Sequence, residues 1–141
     1  MSVSGEFILP VRVYYEDTDA GGVVYHARYL NYFERGRTEL LRSLGFEQDR
    51  LMDEDDTLFA VRSMHVDYYR PARFNDELEV LTRIEHMKRA SVTFIQTIRR
   101  KGQQEVLCQL EVLVACLLAS RLRPKAIPVN IKLAMEGASA G

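Results

Sequence analysis

The spacing of hydrophobic positions changes several times along the 141-residue chain, and each change predicts an element. From Phe7 to Tyr15, Ile8, Val11, Val13 and Tyr15 give β-branched and aromatic strand character, and Pro10 places that strand at an edge or a bulge. Glu16-Asp17-Thr18-Asp19-Ala20-Gly21-Gly22 then reads as a loop. Between about Tyr25 and Leu44 the period becomes helical. Tyr29, Phe33, Gly36, Leu40 and Leu44 share a face, flanked by Leu30 and Leu41, with Arg35, Glu39 and Arg42 opposite. Gly36 on the apolar face lowers helix propensity by about 1 kcal/mol against Ala, which a helix pressed onto a sheet would justify. Gly45 followed by Phe46 is a stop signal, and polar Glu47 to Asp55 adds a short turn of helix.

Four strand-like runs follow: Leu58–Tyr69, Glu77–Met87, Ser91–Arg100 and Glu105–Leu118. Leu78, Val80, Thr82, Ile84 and His86 are expected on one face of the second run, Val92, Phe94 and Ile98 on one face of the third, and Val106, Cys108, Leu110, Val112 and Val114 on one face of the fourth. The later runs are joined by short polar turns, which imply antiparallel neighbours. The class is therefore α+β: one sheet with one long helix on a face. A long edge such as Leu58–Tyr69 invites pairing with a second chain, so a homodimer is expected.

No repeat or linker divides the chain, giving one domain over residues 1–133 and a frayed small-residue tail over 134–141. Nineteen basic and twenty acidic residues leave a formal charge of -1, so no global positive field favours nucleic acid or an anionic membrane. The longest apolar run, Val112 to Ala119, is far short of the roughly 20 residues of a transmembrane segment. The N-terminus lacks the pattern of a signal peptide. Cys108 and Cys116 stand about 26 Å apart if they share a strand, too far for a disulfide, and a reducing cytoplasm is the simpler location.

The chemistry concentrates in Tyr15-Glu-Asp17-Thr-Asp19-Ala-Gly-Gly22-Val-Val-Tyr25-His26. A calcium loop starting at Asp17 fails, because its twelfth position is Arg28 where a bidentate Glu is needed. A catalytic carboxylate before a helix start is a second reading. The first turn of a helix presents unpaired N–H groups that hold an oxyanion, and the paired glycines let a ligand approach the backbone. The alternative is that Asp17 and Asp19 only cap the helix or close an Asx turn.

The string Tyr14-Tyr-Glu-Asp-Thr-Asp-Ala-Gly-Gly-Val-Val-Tyr-His26, with Tyr29, Phe33-Glu34 and Arg37, resembles the hotdog-fold acyl-CoA thioesterases of the 4-hydroxybenzoyl-CoA thioesterase type, and within them the Tol–Pal system-associated subgroup. Met64-His-Val-Asp-Tyr-Tyr-Arg-Pro-Ala-Arg73, Asp76 and Glu111-Val-Leu-Val114 extend the resemblance over about residues 7 to 131. It implies a five-stranded antiparallel sheet wrapped around one long helix, and active sites at a homodimer interface, often within a homotetramer. It also implies an acyl-CoA substrate and no metal or organic cofactor. The catalytic aspartate it implies is Asp19, as general base or nucleophile, with backbone donors near Tyr25 and His26. Lys88, Arg89 and Ser91 would sit where these enzymes hold CoA, a role that two adjacent cations suit. Many relatives carry an Asp after the last core strand, but Ala115 to Pro124 holds no acid, which puts that exit turn in question.

Other candidates are weaker. His26, His65 and His86 lack metal-ligand spacing. Glu34, about two turns into the helix, is the rival catalytic acid by analogy with other hotdog thioesterases. Cys108 and Cys116 read as core residues. The seven tyrosines lie between Tyr14 and Tyr69, some suited to an acyl pocket. A second function is non-catalytic binding of acyl chains or acyl carrier protein in phospholipid or envelope metabolism.

Overall fold

In a computed structural model of the chain, residues 5–140 are described. Residues 1–4, where no leader is expected, and residue 141 of the expected tail lie outside them. Strands β1 (Glu6–Arg12), β2 (Thr57–Tyr68), β3 (Glu77–Met87), β4 (Ser91–Arg100) and β5 (Val106–Leu118) form one sheet in the order β1-β3-β4-β5-β2. Every neighbouring pair is antiparallel. The edges are β1, where Pro10 is tolerated, and β2. Helix α1 (Arg28–Ser43) lies across one face, followed by α2 (Gln48–Asp55), and α3 (Val129–Ala140) ends the chain.

The inward residues of α1 are Tyr29, Tyr32, Phe33, Gly36, Leu40 and Leu41. They meet Leu78, Val80, Phe94, Ile98, Leu110, Val112 and Val114 from the sheet. Each large side chain so buried contributes roughly 1.5–3 kcal/mol. The helix comes closest at Gly36. A Cβ there would stand 2.9 Å from Thr82 Oγ1, 3.0 Å from Gln96 Nε2 and 3.0 Å from Val80 Cγ1. Thr82 and Gln96 are fully buried yet polar. Gln96 Nε2 donates to the Phe33 carbonyl (2.9 Å) and to Thr82 Oγ1 (2.8 Å). Its Oε1 accepts from Arg37 (2.9 Å), and burial lowers the pKa of that guanidinium. A polar clasp thus sits in the middle of the apolar layer, with its partners supplied.

Several expectations shift by a few residues for identifiable reasons. Strand β1 stops at Arg12, and Tyr15–Asp17 forms a single 3₁₀ turn instead of continuing it. Helix α1 starts at Arg28 rather than Tyr25, because residues 25–27 are held in a turn by bonds outside the helix. His86 was expected beside Ile84, but a register shift between them leaves it exposed.

The frayed tail is a correction. Residues 134–140 continue α3, and Ile127, Ile131 and Met135, spaced by four, are buried at 4%, 0% and 0% exposure. The small residues around them let the helix sit close; a Cβ on Gly5 would lie 3.0 Å from the Ser139 carbonyl oxygen. The exit turn after β5 finds its acid elsewhere. Asp56, in the left-handed conformation at φ 49°, accepts bonds from the Ser120 N–H (2.7 Å) and hydroxyl (2.8 Å). Those bonds hold its carboxyl below the usual range.

Gly36→Ala improves helix propensity but overfills the contact with Thr82, Gln96 and Val80. We expect a net loss of about 1–3 kcal/mol in urea unfolding; a gain in stability would contradict the close approach.

Candidate active site

The loop between β1 and α1 leaves from the end of the sheet where Arg12 pairs with Glu77. It is tied to the β2–β3 connection by Val13 N–H to the Asp76 carbonyl (2.9 Å) and Val24 N–H to the Ala72 carbonyl (2.8 Å). Inside the loop, Thr18 and Val24 pair as a bridge, and Asp19 N–H donates to the Val23 carbonyl (2.9 Å). Gly22 takes φ 80°, which its missing Cβ allows.

The two acids of the loop have different fates. Asp19 is exposed, and its Oδ1 accepts from the Gly21 N–H (2.8 Å), which closes an Asx turn. Among the described residues its Oδ2 makes no hydrogen bond, so one carboxylate oxygen faces solvent in a shallow depression formed by Tyr15, Thr18, Ala20, Gly22 and Phe74. Asp17 is buried, with its Oδ2 accepting the Tyr14 N–H (2.9 Å) and its Oδ1 4.0 Å from Arg28 Nε.

The helix start is uncapped. Ala27 occupies the N-cap and offers no side-chain acceptor, and no acid lies in the first turn. Of the two expected backbone donors, Tyr25 is corrected: its N–H donates to the Asp17 carbonyl (2.9 Å). The N–H groups of His26 and Ala27 find no acceptor among the described residues, which leaves them for an incoming oxygen. The His26 carbonyl accepts from the Tyr68 hydroxyl (3.0 Å), anchoring this turn to the end of edge strand β2. The rings of Tyr25, His26, Tyr29 and Tyr68 form one aromatic cluster around it. Tyr68 was not singled out in the sequence; its place at the end of the strand next to Tyr69 was the available signal.

Lys88, Arg89 and Ser91 form the β3–β4 turn, closed by Lys88 N–H to the Ser91 carbonyl (2.9 Å). This turn lies at the opposite end of the sheet from Asp19 and His26, separated by the eleven residues of β3, roughly 35 Å of strand. One chain therefore does not bring the carboxylate and the cations together. The segment after β5 adds exposed Arg121 and Arg123 at the far end, fastened there by Ile127 N–H to the Arg89 carbonyl (2.8 Å). The basic run Arg121-Leu-Arg123-Pro-Lys125 was the missed signal.

Glu34 lies on an exposed stretch of α1, at the rim of a cavity of about 290 Å³ beneath the helix. Leu41, Phe59, Phe94, Val114 and Met135 give that cavity its apolar walls, while Arg37, Thr38 and Gln48 join Glu34 on the polar side. Among the described residues, no cluster of three potential metal ligands occurs, and no helix is long and apolar enough to cross a membrane. His65 pairs with Asp67 at 3.2 Å on β2. Cys108 and Cys116 are buried free thiols on β5, and burial pushes the Cys108 thiol up to about 12.

The sheet, its single crossing helix and an acid loop before an uncapped helix start define a hotdog-fold protein. Residues 13–135 match the profile of the thioesterase-like superfamily, and the chain belongs to that family. It is 50% identical over 125 residues to the acyl-CoA thioester hydrolase YbgC of Escherichia coli O6:H1, covering 89% of this chain and 92% of that protein. It is 46% identical over 130 residues to the acyl-CoA thioesterase YbgC of Haemophilus influenzae, covering 92% and 94%. A probable thioesterase from Bartonella henselae has the same fold, with a TM-score of 0.82 at 36% identity over 87% of this chain and 99% of that one.

Buried thiols with raised pKa values react slowly. Iodoacetamide at about pH 8 should leave both cysteines unmodified in the native protein and label both after denaturation. Native labelling of Cys108, read by mass spectrometry, would exclude the inert assignment.

Proposed function

We propose that the chain is an acyl-CoA thioester hydrolase that works through Asp19 and the His26 N–H. The activity follows the family and the two YbgC relatives. The roles rest on one observation: an uncapped helix start with unpartnered N–H groups follows a loop whose exposed Asp19 keeps one carboxylate oxygen free. The His26 N–H polarises the thioester carbonyl and holds the oxyanion as it forms. Asp19 removes a proton from the attacking water, the C–O bond forms, and collapse of the tetrahedral species breaks the C–S bond. The proton passes to the departing CoA sulfur, giving free acid and CoA. Direct attack by Asp19, followed by hydrolysis of a mixed anhydride, uses the same atoms.

The working unit in this reading is a homodimer joined through β2. Two copies paired antiparallel along this edge exchange their ends. The far end of one sheet, with Lys88, Arg89, Ser91, Arg121 and Arg123, then approaches the Asp19 loop of the other. The CoA phosphates would meet those cations. The acyl group would enter the cavity beneath α1, whose rim reaches the β2 edge at Phe59 and Val61.

Asp19→Asn should keep the fold and lower kcat about 10²–10⁴-fold in a thiol-release assay over acetyl to palmitoyl and aromatic CoA thioesters. His26→Ala retains its backbone N–H and should stay within about tenfold of the parent. Near-parental rates for Asp19→Asn on every substrate would remove Asp19 from the chemistry. Acyl-CoA or acyl carrier protein binding without thiol release from the parent would favour a binding role instead. Separately, Thr38→Phe narrows the cavity rim and should reduce kcat/KM for longer chains at least tenfold more than for acetyl-CoA, a difference of about 1.4 kcal/mol. Equal effects on all chain lengths would place the acyl group elsewhere.

A further inference from the structure

Asp17 lies in the same loop as Asp19 but is shut away from substrate, at 7% exposure. A buried carboxylate needs partners, and Asp17 draws them from each part of the loop. Its Oδ2 accepts the Tyr14 N–H (2.9 Å) where the chain leaves β1. Its own N–H donates to the Tyr14 carbonyl (3.0 Å), closing the 3₁₀ turn. Its carbonyl accepts the Tyr25 N–H (2.9 Å) at the end of the loop. Its Oδ1 lies 4.0 Å from Arg28 Nε in the first turn of α1. The Tyr32 hydroxyl, one helical turn further on, is buried and has no hydrogen bond of normal geometry among the described residues. Burial, and then the neighbouring Asp17 carboxylate, raises its pKa, so the hydroxyl stays protonated.

These ties bear directly on the reacting groups. Asp19 is two residues after Asp17, and His26 is the residue after Tyr25. We propose that Asp17 is a positioning residue of this site: its buried carboxylate and carbonyl fix both ends of the loop, so that Asp19 and the His26 N–H are held on one frame and bear on one thioester carbonyl. By taking the Tyr25 N–H, Asp17 also determines that His26 and Ala27 are the donors left open. The proposal rests on the roles given above to Asp19 and His26.

The test is a double-mutant cycle of Asp17→Asn with Asp19→Asn. Asn keeps the size of Asp and an acceptor for Tyr14, while removing the charge facing Arg28 and Tyr32. Asp17→Asn should lower kcat about 10- to 100-fold, the scale of an ångström-sized misplacement, with KM within about threefold. In the Asp19→Asn background it should cost less than about twofold more, because the two residues act as one unit. The Tyr25 amide should exchange with deuterium faster, while amides of β4 keep their protection. Parental kcat in Asp17→Asn, or the same fold-loss in both backgrounds, overturns the proposal. The Asp19→Asn single variant reports separately on the catalytic reading: parental turnover there fails that reading, and the Tyr25 exchange then decides the Asp17 tie by itself. Should Asp17→Asn not fold, Tyr32→Phe replaces it. It should lower kcat about two- to fivefold and speed Tyr25 exchange at unchanged Tm, and no change in either quantity overturns the proposal.

Discussion

The close contact of α1 with the sheet at Gly36 governs the arrangement of the rest. No Cβ fits between this residue and Thr82, Gln96 and Val80, so the helix rests at backbone distance from the strands. That approach lets Gln96 reach a main-chain carbonyl of the helix, at Phe33, while its other end holds Arg37. Apolar packing alone tolerates sliding by a turn or rotation by a few tens of degrees. A buried amide with three partners does not, because any displacement leaves donors unpaired in a low-dielectric layer. The clasp therefore sets the height, register and rotation of α1, and with them the position of its first turn.

The loop spans two points fixed in this way: the end of β1, and a helix start with no cap of its own. Evolution commonly puts Ser, Thr, Asp or Asn at an N-cap, and here Ala27 stands there. An uncapped start costs stability, yet the N–H groups of His26 and Ala27 keep no acceptor among the described residues. The acids that might have capped it are used differently: Asp17 braces the loop from inside, and Asp19 bends back onto Gly21 with one oxygen outward. Two acids of one loop, two residues apart, thus differ in their burial: one is tied inside the loop and the other keeps an oxygen toward solvent.

Much of this arrangement was legible in the residues. The strand alternation, the helical face through Gly36, the edge position of Pro10 and the loop before α1 all depend on short-range periodicity, which a sequence displays directly. The polar clasp was not legible: Thr82 falls on the inward face by period, but nothing local says that Gln96 pairs with it from the next strand and meets Arg37 and the Phe33 carbonyl across the layer. The helical end of the chain over residues 134–140 reads as a tail in the sequence because Ala, Gly and Ser obscure the four-residue spacing of Ile127, Ile131 and Met135. Tyr25 illustrates a finer limit. Residue types identified a helix start, but which N–H remained free depended on a bond to the Asp17 carbonyl formed by the folded loop.

The separation of acid and cations sharpens the argument for a second copy. In an antiparallel sheet the β1–α1 loop and the β3–β4 turn leave from opposite ends, so no side-chain adjustment in one chain can unite them. A thioester substrate with phosphates at one end and the scissile carbonyl at the other needs both. Pairing two β2 edges about a two-fold axis reverses one sheet relative to the other and brings the unlike ends together without any change of fold. Tyr68 and Thr57 mark the two ends of that edge, and Tyr68 already holds the His26 carbonyl. The same strand would then join the subunits and support the turn with the proposed oxyanion donors. Such a design would let a chain of this size, with a net charge of only -1, serve a polyanionic substrate: the cations need to be local to the phosphates and would come from the other subunit.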